Sequence, residues 1–319
     1  MIHQLMSNGL LIFIVKNMHK RGEIFLKTLT VFTPTFNRAY ILNKCYESLK
    51  RQTSKDFIWL IVDDGSSDNT KDLVDKWIKE DLVEIRYYYQ ENQGMHGAHN
   101  TAYEHINTEI NTCIDSDDYM PNDAVEKIIS FWKNNKRDGI AGIMALDAYT
   151  NGQIIGDKFP EDIKESTYFD IYNKYGLKGD KKLIYRSDLT KMYPYPIFEG
   201  EKYISLAYKY VKLDDDYKLL LMNEIVCNVE YMEDGSSLNM ISQYRRNPKG
   251  FAFIRIDNLN NPKATLKFKF KECIHYVSSS LISKNKRFLI ETPCKLLTIL
   301  AIPFGMAMYF YIMRKTAEI

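Results

Sequence analysis

Short apolar runs alternate with amphipathic stretches along residues 28–146. The runs at 29–32 and 57–62 are apolar at almost every position, which is the pattern of strands buried on both faces of a parallel sheet. Apolar and polar residues alternate at 83–89, so this strand is expected to be half exposed or near a sheet edge. Between the strands, apolar residues recur at helical spacing, as at 42–49. The order strand, helix, strand, helix predicts a doubly wound α/β fold.

Three polar clusters follow predicted strands. They read Thr-Pro-Thr at 33–35, Asp-Asp-Gly at 63–65 and Asp-Ser-Asp-Asp at 115–118. Open α/β sheets bind ligands in the crevice outside the carboxyl ends of their strands. We therefore expect the three clusters to converge on one edge of the sheet and to form a site there.

The cluster at 115–118 carries three carboxylates in four residues. Such acids repel one another unless a cation neutralises them. Mg²⁺ or Mn²⁺ accepts one or two protein carboxylates and takes its other ligands from phosphate oxygens and water. The cluster therefore predicts a nucleotide diphosphate bound through a metal ion, which would stabilise the diphosphate as it departs. The alternative interpretation is a solvated acidic turn.

Two further segments fit a nucleotide site. Asp63 and Asp64 stand side by side at a strand end, where one of them could accept hydrogen bonds from a uracil or a ribose, and Asp68 can cap the next helix. The loop 92–100 contains two glycines and leads into a helix, and a helix N-terminus favours a phosphate. Within this loop, His96 is the expected diphosphate contact.

The composition narrows the class of protein. The chain has 319 residues, of which 45% are hydrophobic and 26% charged, values that suit one large α/β domain or a catalytic domain with an extension. Its net charge of +2 gives no sign of a nucleic-acid-binding protein. The 23 tyrosines suit surfaces that stack on sugar rings. The five cysteines are scattered, which argues against a disulfide framework or a zinc site and for a reducing cytoplasm.

Taken in order, the segments 31–38, 62–68, 92–100 and 115–118 resemble the signature of glycosyltransferase family 2, and the resemblance spans residues 28–250. It implies the GT-A fold of nucleotide-diphospho-sugar transferases, with a doubly wound mixed sheet and a helical C-terminal appendage beyond it. It also implies an inverting enzyme that uses a nucleotide sugar, most often a UDP-sugar, with Mg²⁺ or Mn²⁺.

The resemblance further implies roles for individual residues. Asp115 and Asp117 would form the metal motif, with Asp117 as the direct ligand. The family's catalytic base usually lies in a Glu-Asp pair in the second half of the chain, where this sequence has Glu201 and Glu199, and we expect Glu201 to be the base. The contacts with the nucleotide sugar would come from Thr33, Pro34, Thr35, Arg38, Asp63, Asp64, Asn92, Gly94, His96, Asn100, Asp115 and Ser116.

Two features depart from the family pattern. Met95 stands where relatives often carry a lysine or arginine, so a cation for the phosphates would have to come from elsewhere. The segment 243–246 reads Gln-Tyr-Arg-Arg and lacks the tryptophan of the processive enzymes, which favours single transfers.

The chain divides into four predicted segments. We expect a poorly ordered leader at 1–27, a nucleotide-sugar-binding half at 28–150, an acceptor-binding half of the same domain at 151–260, and a helical, membrane-associating region at 261–319.

The apolar tail at 296–313 motivates the last of these segments. It contains no charged residue, is flanked by lysines and arginines, and approaches the length of a spanning helix. Pro303 and Gly305 are expected to break that helix, so the tail should lie in or dip into one leaflet of a membrane. The alternative is a buried core helix.

Together these features predict a cytoplasmic enzyme that is peripheral on the inner face of the plasma membrane. It would move a hexose or an N-acetylhexosamine from a nucleotide-sugar donor to a hydroxyl of a lipid-linked glycan acceptor during synthesis of a surface polysaccharide such as a capsule. The acceptor could instead be a polyprenyl phosphate. A non-catalytic nucleotide-binding scaffold is the alternative from another class of protein.

Overall fold

One mixed sheet forms the centre of the protein. The structure is a computed structural model that describes residues 27–232 and 239–317, so the expected leader at 1–27 lies, apart from its last residue, outside the described residues. The strands are β1 (Leu29–Thr35), β2 (Phe57–Asp63), β3 (Ile85–Tyr89), β4 (Ile110–Cys113), β5 (Ile140–Tyr149), β6 (Glu165–Ser166), β7 (Lys181–Arg186) and β8 (Lys218–Val229). Their order across the sheet is β3-β2-β1-β4-β7-β5-β8-β6.

The strand directions confirm the predicted mixed sheet. β1 is parallel to β2 and to β4, and β2 is parallel to β3. β7 runs antiparallel between β4 and β5, β8 is parallel to β5, and β6 is antiparallel to β8. β3, which we expected near an edge, is the outermost strand on its side. Residues of both predicted halves, 28–150 and 151–260, contribute strands to this one sheet.

Helices cover both faces of the sheet. In chain order they are α1 (Asn43–Lys50), α2 (Thr70–Glu80), α3 (Met95–His105), α4 (Ala124–Asn135), α5 (Tyr168–Asn173), α6 (Ser187–Thr190), α7 (Ala207–Leu213), α8 (Met240–Arg246), α9 (Pro248–Asn260), α10 (Leu266–Ile282), α11 (Phe288–Glu291) and α12 (Lys295–Lys315). Side chains alternate along a strand, so Val31 and Trp59 pack with α1, α2 and α4 in one core, whereas Phe32 and Leu60 pack with α3 in the other. Burial of these two apolar layers leaves the strand ends for polar residues.

The connections bring the predicted motifs to one edge of the sheet. β1, β2 and β4 are parallel, so the segments 63–65 and 115–118 leave the sheet on the same side. β7 is antiparallel and therefore begins on that side, with Lys181 and Lys182 as its first residues. Asp147, near the end of β5, reaches the same edge. The topology thus adds two lysines and an aspartate to the acid motif.

The helices α9, α10 and α12 form the helical C-terminal region. Arg255 and Asn258 of α9 donate hydrogen bonds to the carboxylate of Glu272 of α10, with Arg255 Nη1 and Glu272 Oε2 3.0 Å apart. Glu272 is only 3% exposed, so this paired charge holds the two helices in register.

The expected break in the apolar tail is absent. α12 continues through Pro303 and Gly305 as one helix. A β-carbon at Gly305 would lie 2.5 Å from the Cβ atom of Val277, so glycine at this position lets α12 approach α10 closely. Tertiary packing of this kind overrides the weak helix preference of the two residues.

Candidate functional site

A cavity of about 720 Å³ opens at the carboxyl edge of the sheet. This volume lies within the range of small-molecule and cofactor sites. Seven tyrosines and three lysines that the sequence reasoning did not single out also line it. Nine predicted site residues line it: Pro34, Thr35, Arg38, Asp64, Asn92, Gly94, Asp115, Ser116 and Asp117.

The acid motif forms a tight turn that is tied to β8. The Asp118 N–H donates to the Asp115 carbonyl oxygen at 3.0 Å, and Tyr119 and Asn228 exchange two backbone hydrogen bonds of 3.1 and 2.8 Å. The Asp118 side chain is buried at 3% exposure. The turn therefore presents Asp115 and Asp117 to the cavity and directs the third acid inward.

Lys182 holds that third acid in place. Its Nζ atom lies 3.8 Å from Asp118 Oδ2 and 3.9 Å from Asp147 Oδ1. The Glu230 N–H also donates to Asp118 Oδ1, at 3.2 Å. These contacts hold Asp118 against Lys182 and the Glu230 N–H group, and Asp115 and Asp117 line the cavity beside it.

Burial shifts the pKa values of the three side chains Asp118, Asp147 and Lys182. It raises the pKa values of Asp118 and Asp147, while the ammonium of Lys182 opposes both shifts. Burial alone would lower the pKa of Lys182, but the two carboxylates raise it well above its ordinary value. Lys182 therefore keeps its charge at neutral pH.

The other two acids of the motif fit a hard divalent cation. Within 27–232 and 239–317, no group of three or more His, Cys, Asp or Glu side chains is arranged to hold a metal ion. Asp115 and Asp117 can therefore supply only one or two carboxylates. Mg²⁺ is commonly bound in this way when substrate phosphates and water complete its coordination.

Asp64 organises the loop at the start of α3. Its carboxylate accepts hydrogen bonds from the Gln93 and Gly94 N–H groups, both at 2.8 Å, and from the Gln90 side chain at 2.7 Å. Burial raises its pKa, and these hydrogen bonds oppose the shift. Asp64 lines the cavity as expected. Its carboxylate is hydrogen-bonded to the loop, so Asp64 fixes the shape of the loop before a nucleotide binds.

Lys202 provides the cation that is missing at Met95. Its Nζ atom donates a hydrogen bond to the carbonyl oxygen of Asn92, and the residue lines the cavity. The close approach depends on Gly94, whose φ is +83° and where a β-carbon would lie 2.0 Å from the Lys202 carbonyl oxygen. A positive charge thus reaches the glycine loop from a segment more than a hundred residues away in sequence.

Four predicted nucleotide contacts do not line the cavity. Thr33 accepts a hydrogen bond from Trp59 Nε1 at 3.0 Å inside the core. The Asp63 carboxylate accepts from the Ser66 N–H and from the Tyr87 hydroxyl, both at 2.7 Å, so it stabilises the turn after β2. Asn100 exchanges two hydrogen bonds of 2.8 Å with the backbone of Tyr195. The structure gives these three residues roles in holding the fold.

His96 is the fourth of them. It is 1% exposed, and burial lowers its pKa to about 4, so it is neutral at pH 7. His99, three residues later, lines the cavity instead and makes an edge-on contact with the ring of Phe32 at 5.0 Å between centroids. Burial lowers the pKa of His99 to about 3, so His99 lines the cavity as a neutral imidazole at pH 7.

Neither candidate for the catalytic base lines the cavity. Glu201 accepts hydrogen bonds from the N–H groups of Lys249 and Gly250, at 2.9 and 2.8 Å, in the first turn of α9. It is 7% exposed and caps that helix. Glu199 is exposed. Both carboxylate oxygens of Glu201 therefore serve a helix N-terminus in this structure, away from the cavity.

Sequence reasoning missed Lys182 and Asp147. Neither belongs to a motif, and their meeting depends on β7 being inserted antiparallel between β4 and β5. A signal was available for Asp147, which is the one charged residue of the apolar strand β5. Charges are rarely buried without partners, so Asp147 called for a partner of opposite charge. Lys182 carried no such signal, because β7 has three charged residues among six.

The fold and cavity define an α/β protein with a nucleotide-type crevice, whose acid motif faces a glycine loop at the carboxyl edge of the sheet. Residues 30–192, just over half of the chain, match the model of the family described as Glycosyl transferase family 2. The chain therefore belongs to glycosyl transferase family 2.

Solved structures show the same fold. TarS 1-349 of S. aureus, in complex with UDP-GlcNAc, matches with a TM-score of 0.59 and 17% identity over 91% of this chain and 92% of that chain. The mannosyltransferase PcManGT of Pyrobaculum calidifontis, in complex with GDP-Man and Mn²⁺, matches with a TM-score of 0.51 and 16% identity over 90% and 75% of the two chains. The fold is the GT-A type that the resemblance implied.

Curated relatives share parts of the sequence. The glycosyltransferase GlyA of Streptococcus pneumoniae is 27% identical over 62% of this chain and 29% of its own length. The GalNAc(5)-diNAcBac-PP-undecaprenol beta-1,3-glucosyltransferase of Campylobacter jejuni is 35% identical over 32% of this chain and 33% of its own length. The match thus spans a third or less of these two relatives.

Proposed function

We propose that this protein is an inverting, metal-dependent glycosyltransferase that moves a hexosyl or N-acetylhexosaminyl group from a UDP-sugar to a hydroxyl of a glycan acceptor. One observation carries the proposal. Asp115 and Asp117 line the same cavity as the glycine loop, which Asp64 holds in place. One protein of the same fold is solved with UDP-GlcNAc, and another is solved with GDP-Man and Mn²⁺.

The residues of the site have distinct tasks in this reaction. The loop at 92–94 and Lys202 would bind the nucleotide diphosphate, and Asp117, assisted by Asp115, would hold Mg²⁺ or Mn²⁺. The cation would stabilise the negative charge that develops on the departing diphosphate. Lys182 fixes the acid turn through Asp118, so the two ligand carboxylates are oriented before the donor binds.

The general base must come from carboxylates that face the cavity. Apart from the acid motif and Asp64, whose carboxylate holds the glycine loop, the described lining offers Asp147, Asp180 and Glu230. Asp147 lies beside Lys182, Asp180 accepts a hydrogen bond from the Tyr231 hydroxyl at 2.9 Å, and Glu230 forms an ion pair with Lys44. We propose that one of these three takes the proton from the acceptor hydroxyl.

A panel of nucleotide sugars tests the proposal. We expect a UDP-sugar to raise the unfolding temperature only with Mn²⁺ or Mg²⁺, because a ligand that binds the native state stabilises it by mass action. The same donor should release UDP when an acceptor is present. The exposed Asp162→Asn is the matched control for Asp117→Asn. If no nucleotide sugar stabilises the wild-type protein with either cation, the proposal fails; binding without turnover would support the scaffold alternative.

A polyprenyl phosphate remains the second candidate acceptor. A phosphate already carries its nucleophilic charge and needs no strong base. If Asp147→Asn, Asp180→Asn and Glu230→Gln each retain the transfer rate, this candidate is favoured. If one of them loses about 100-fold or more in kcat, that residue is the base and the acceptor is a hydroxyl.

We also propose that the apolar face of α12 attaches the protein to the cytoplasmic face of a membrane, where a lipid-linked acceptor of surface polysaccharide synthesis would be found. Among the described residues, Lys295–Lys315 is the one helix long and apolar enough to cross a membrane, and 22% of its apolar window is buried. Leu296, Leu300, Phe304 and Phe310 are 81%, 64%, 56% and 61% exposed. An exposed apolar face with Arg314 and Lys315 at its end suits an anionic interface.

Vesicle sedimentation tests this attachment. The wild-type protein should sediment with phosphatidylglycerol vesicles, and Phe304→Asp should reduce the bound fraction. Ile78→Asp, which changes an exposed apolar residue of α2, should have no effect. A wild-type protein that stays in the supernatant would contradict the attachment without affecting the transferase proposal.

A further inference from the structure

Four tyrosines, Tyr168, Tyr172, Tyr185 and Tyr210, line one part of the cavity and are called the tyrosine wall here. They come from α5, β7 and α7. The Tyr185 and Tyr210 rings are stacked with centroids 5.2 Å apart and an interplanar angle of 6°. Tyr168 contacts Tyr172 and Tyr210 at 5.1 and 5.4 Å. The four rings therefore support one another as a single aromatic surface.

The sheet order places this surface opposite the nucleotide loop. The segments after β1 and β2 lie on one side of β4, whereas β7 and β5 lie on the other side. The acid turn follows β4 and therefore separates the two ends of the cavity. A diphosphate held at Asp115 and Asp117, with its nucleoside toward the glycine loop, would direct the attached sugar toward the tyrosine wall.

The wall also has an unsatisfied polar group. The Tyr185 hydroxyl is buried and has no hydrogen-bond partner among the residues that the structure describes, although the residue lines the cavity. A buried hydroxyl without a partner costs free energy, which a ligand hydroxyl would recover. Apolar ring faces combined with a few placed hydroxyls match a pyranose, which has C–H faces and hydroxyl edges.

Two buried side chains, Asp214 and Lys209, hold the helices that carry part of the tyrosine wall. The Asp214 carboxylate accepts hydrogen bonds from the Tyr168 and Phe169 N–H groups, at 2.8 and 2.7 Å, and so holds the start of α5. The Lys209 ammonium donates to the Thr190 carbonyl oxygen and lies 4.1 Å from the centroid of the Tyr103 ring, so it anchors α7, which carries Tyr210. Groups held in this way form a site before a ligand arrives, which reduces the entropy lost on binding.

We infer that the tyrosine wall is a subsite for a pyranose ring, with the Tyr185 hydroxyl contacting a sugar hydroxyl and the Tyr210 ring stacked beside it. The inference rests on the proposed transferase function and adds the residues that recognise the sugar. The ring could belong to the donor sugar or to the first sugar of the acceptor, because both meet at the acid turn.

The test uses substitutions that remove a hydroxyl and keep the ring. Tyr185→Phe and Tyr210→Phe are compared with Tyr208→Phe, which lies on α7 two residues from Tyr210, packs against Phe253 and does not line the cavity. Calorimetry with Mn²⁺ measures the affinities for UDP, UDP-GlcNAc and UDP-glucose. A transfer assay with p-nitrophenyl glucoside and p-nitrophenyl N-acetylglucosaminide as acceptors measures KM.

The outcomes separate the two sources of the sugar. If the donor sugar occupies the subsite, the affinity for a UDP-sugar falls about fivefold in Tyr185→Phe while the affinity for UDP is unchanged, since one net hydrogen bond is lost. If the acceptor sugar occupies it, donor affinities are unchanged and the acceptor KM rises by a similar factor. The inference is overturned if both variants behave like Tyr208→Phe. A wild-type protein that binds neither UDP nor a UDP-sugar overturns the proposed function as well.

Discussion

Replacing Glu201 tests whether this residue caps a helix or acts as the catalytic base. Its carboxylate accepts hydrogen bonds from the Lys249 and Gly250 N–H groups at 2.9 and 2.8 Å, and it is 7% exposed. Glu201→Gln keeps the size of the side chain but replaces one oxygen with an NH₂ group, which would face a backbone donor. We therefore expect the variant to lose stability while the reaction proceeds.

The magnitude follows from the two bonds. A hydrogen bond to a charged group contributes about 1.5–3 kcal/mol, and loss of a negative charge at a helix N-terminus adds about 0.3–1 kcal/mol. Glu201→Gln loses one of the two bonds and the charge, so the free energy of unfolding should fall by about 2–4 kcal/mol. Glu199→Gln, in the same segment but exposed, should change it by less than about 0.5 kcal/mol.

Urea unfolding and steady-state kinetics on the same preparations test this reasoning. The midpoint of unfolding should fall for Glu201→Gln at an unchanged m-value, with kcat per folded molecule equal to that of the wild-type protein. Removal of a general base typically costs about 10²–10⁴ in rate. An unchanged unfolding free energy together with a rate loss of that size would refute the capping role and support Glu201 as the general base.

Three further changes test the electrostatics of the site and its surroundings. Asp117→Asn should abolish the Mn²⁺-dependent stabilisation by a UDP-sugar in thermal unfolding. Lys182→Met leaves two buried carboxylates without their cation and should cost about 3–5 kcal/mol at pH 8. Burial raises the pKa values of Asp118 and Asp147, and loss of the ammonium raises them further, so the loss in urea unfolding should shrink as the pH falls and these carboxyls take up protons. Lys209 is buried, which lowers its pKa to about 7, so above pH 7 the unfolded chain binds more protons than the folded one. The stability of the wild-type protein relative to Lys209→Met should therefore rise with pH from 7 toward 10, by at most about 1.4 kcal/mol per pH unit.

The sheet and the position of the acid motif could be predicted because local pattern and topology agree. Apolar runs at 29–32 and 57–62 can only be strands buried on both faces, and parallel strands bring the segments that follow them to one edge. The same argument fails for adjacent residues at a strand end. Successive side chains point to opposite sides, so of Asp63 and Asp64 only Asp64 reaches the cavity.

The partners of Glu201 and Lys182 could not be predicted because they depend on distant pairing. Glu201 caps a helix that begins almost fifty residues later in the chain, and nothing in its own segment indicates that helix. Lys182 meets Asp118 and Asp147 only because β7 enters the sheet between β4 and β5. Likewise, the unbroken α12 reflects packing of Gly305 on α10, which outweighs the local effect of Pro303.

The charges around the acid turn explain why the proposed reaction needs a cation. Asp115, Asp117, Asp118 and Asp147 bring four carboxylates to one part of the cavity, and Lys182 is the ammonium paired with the two buried ones. The two exposed to the cavity would repel a diphosphate unless a divalent ion bridges them. On the proposed function, the nucleotide sugar and the metal ion would therefore bind together, while the contact between Asp118 and Lys182 holds the turn.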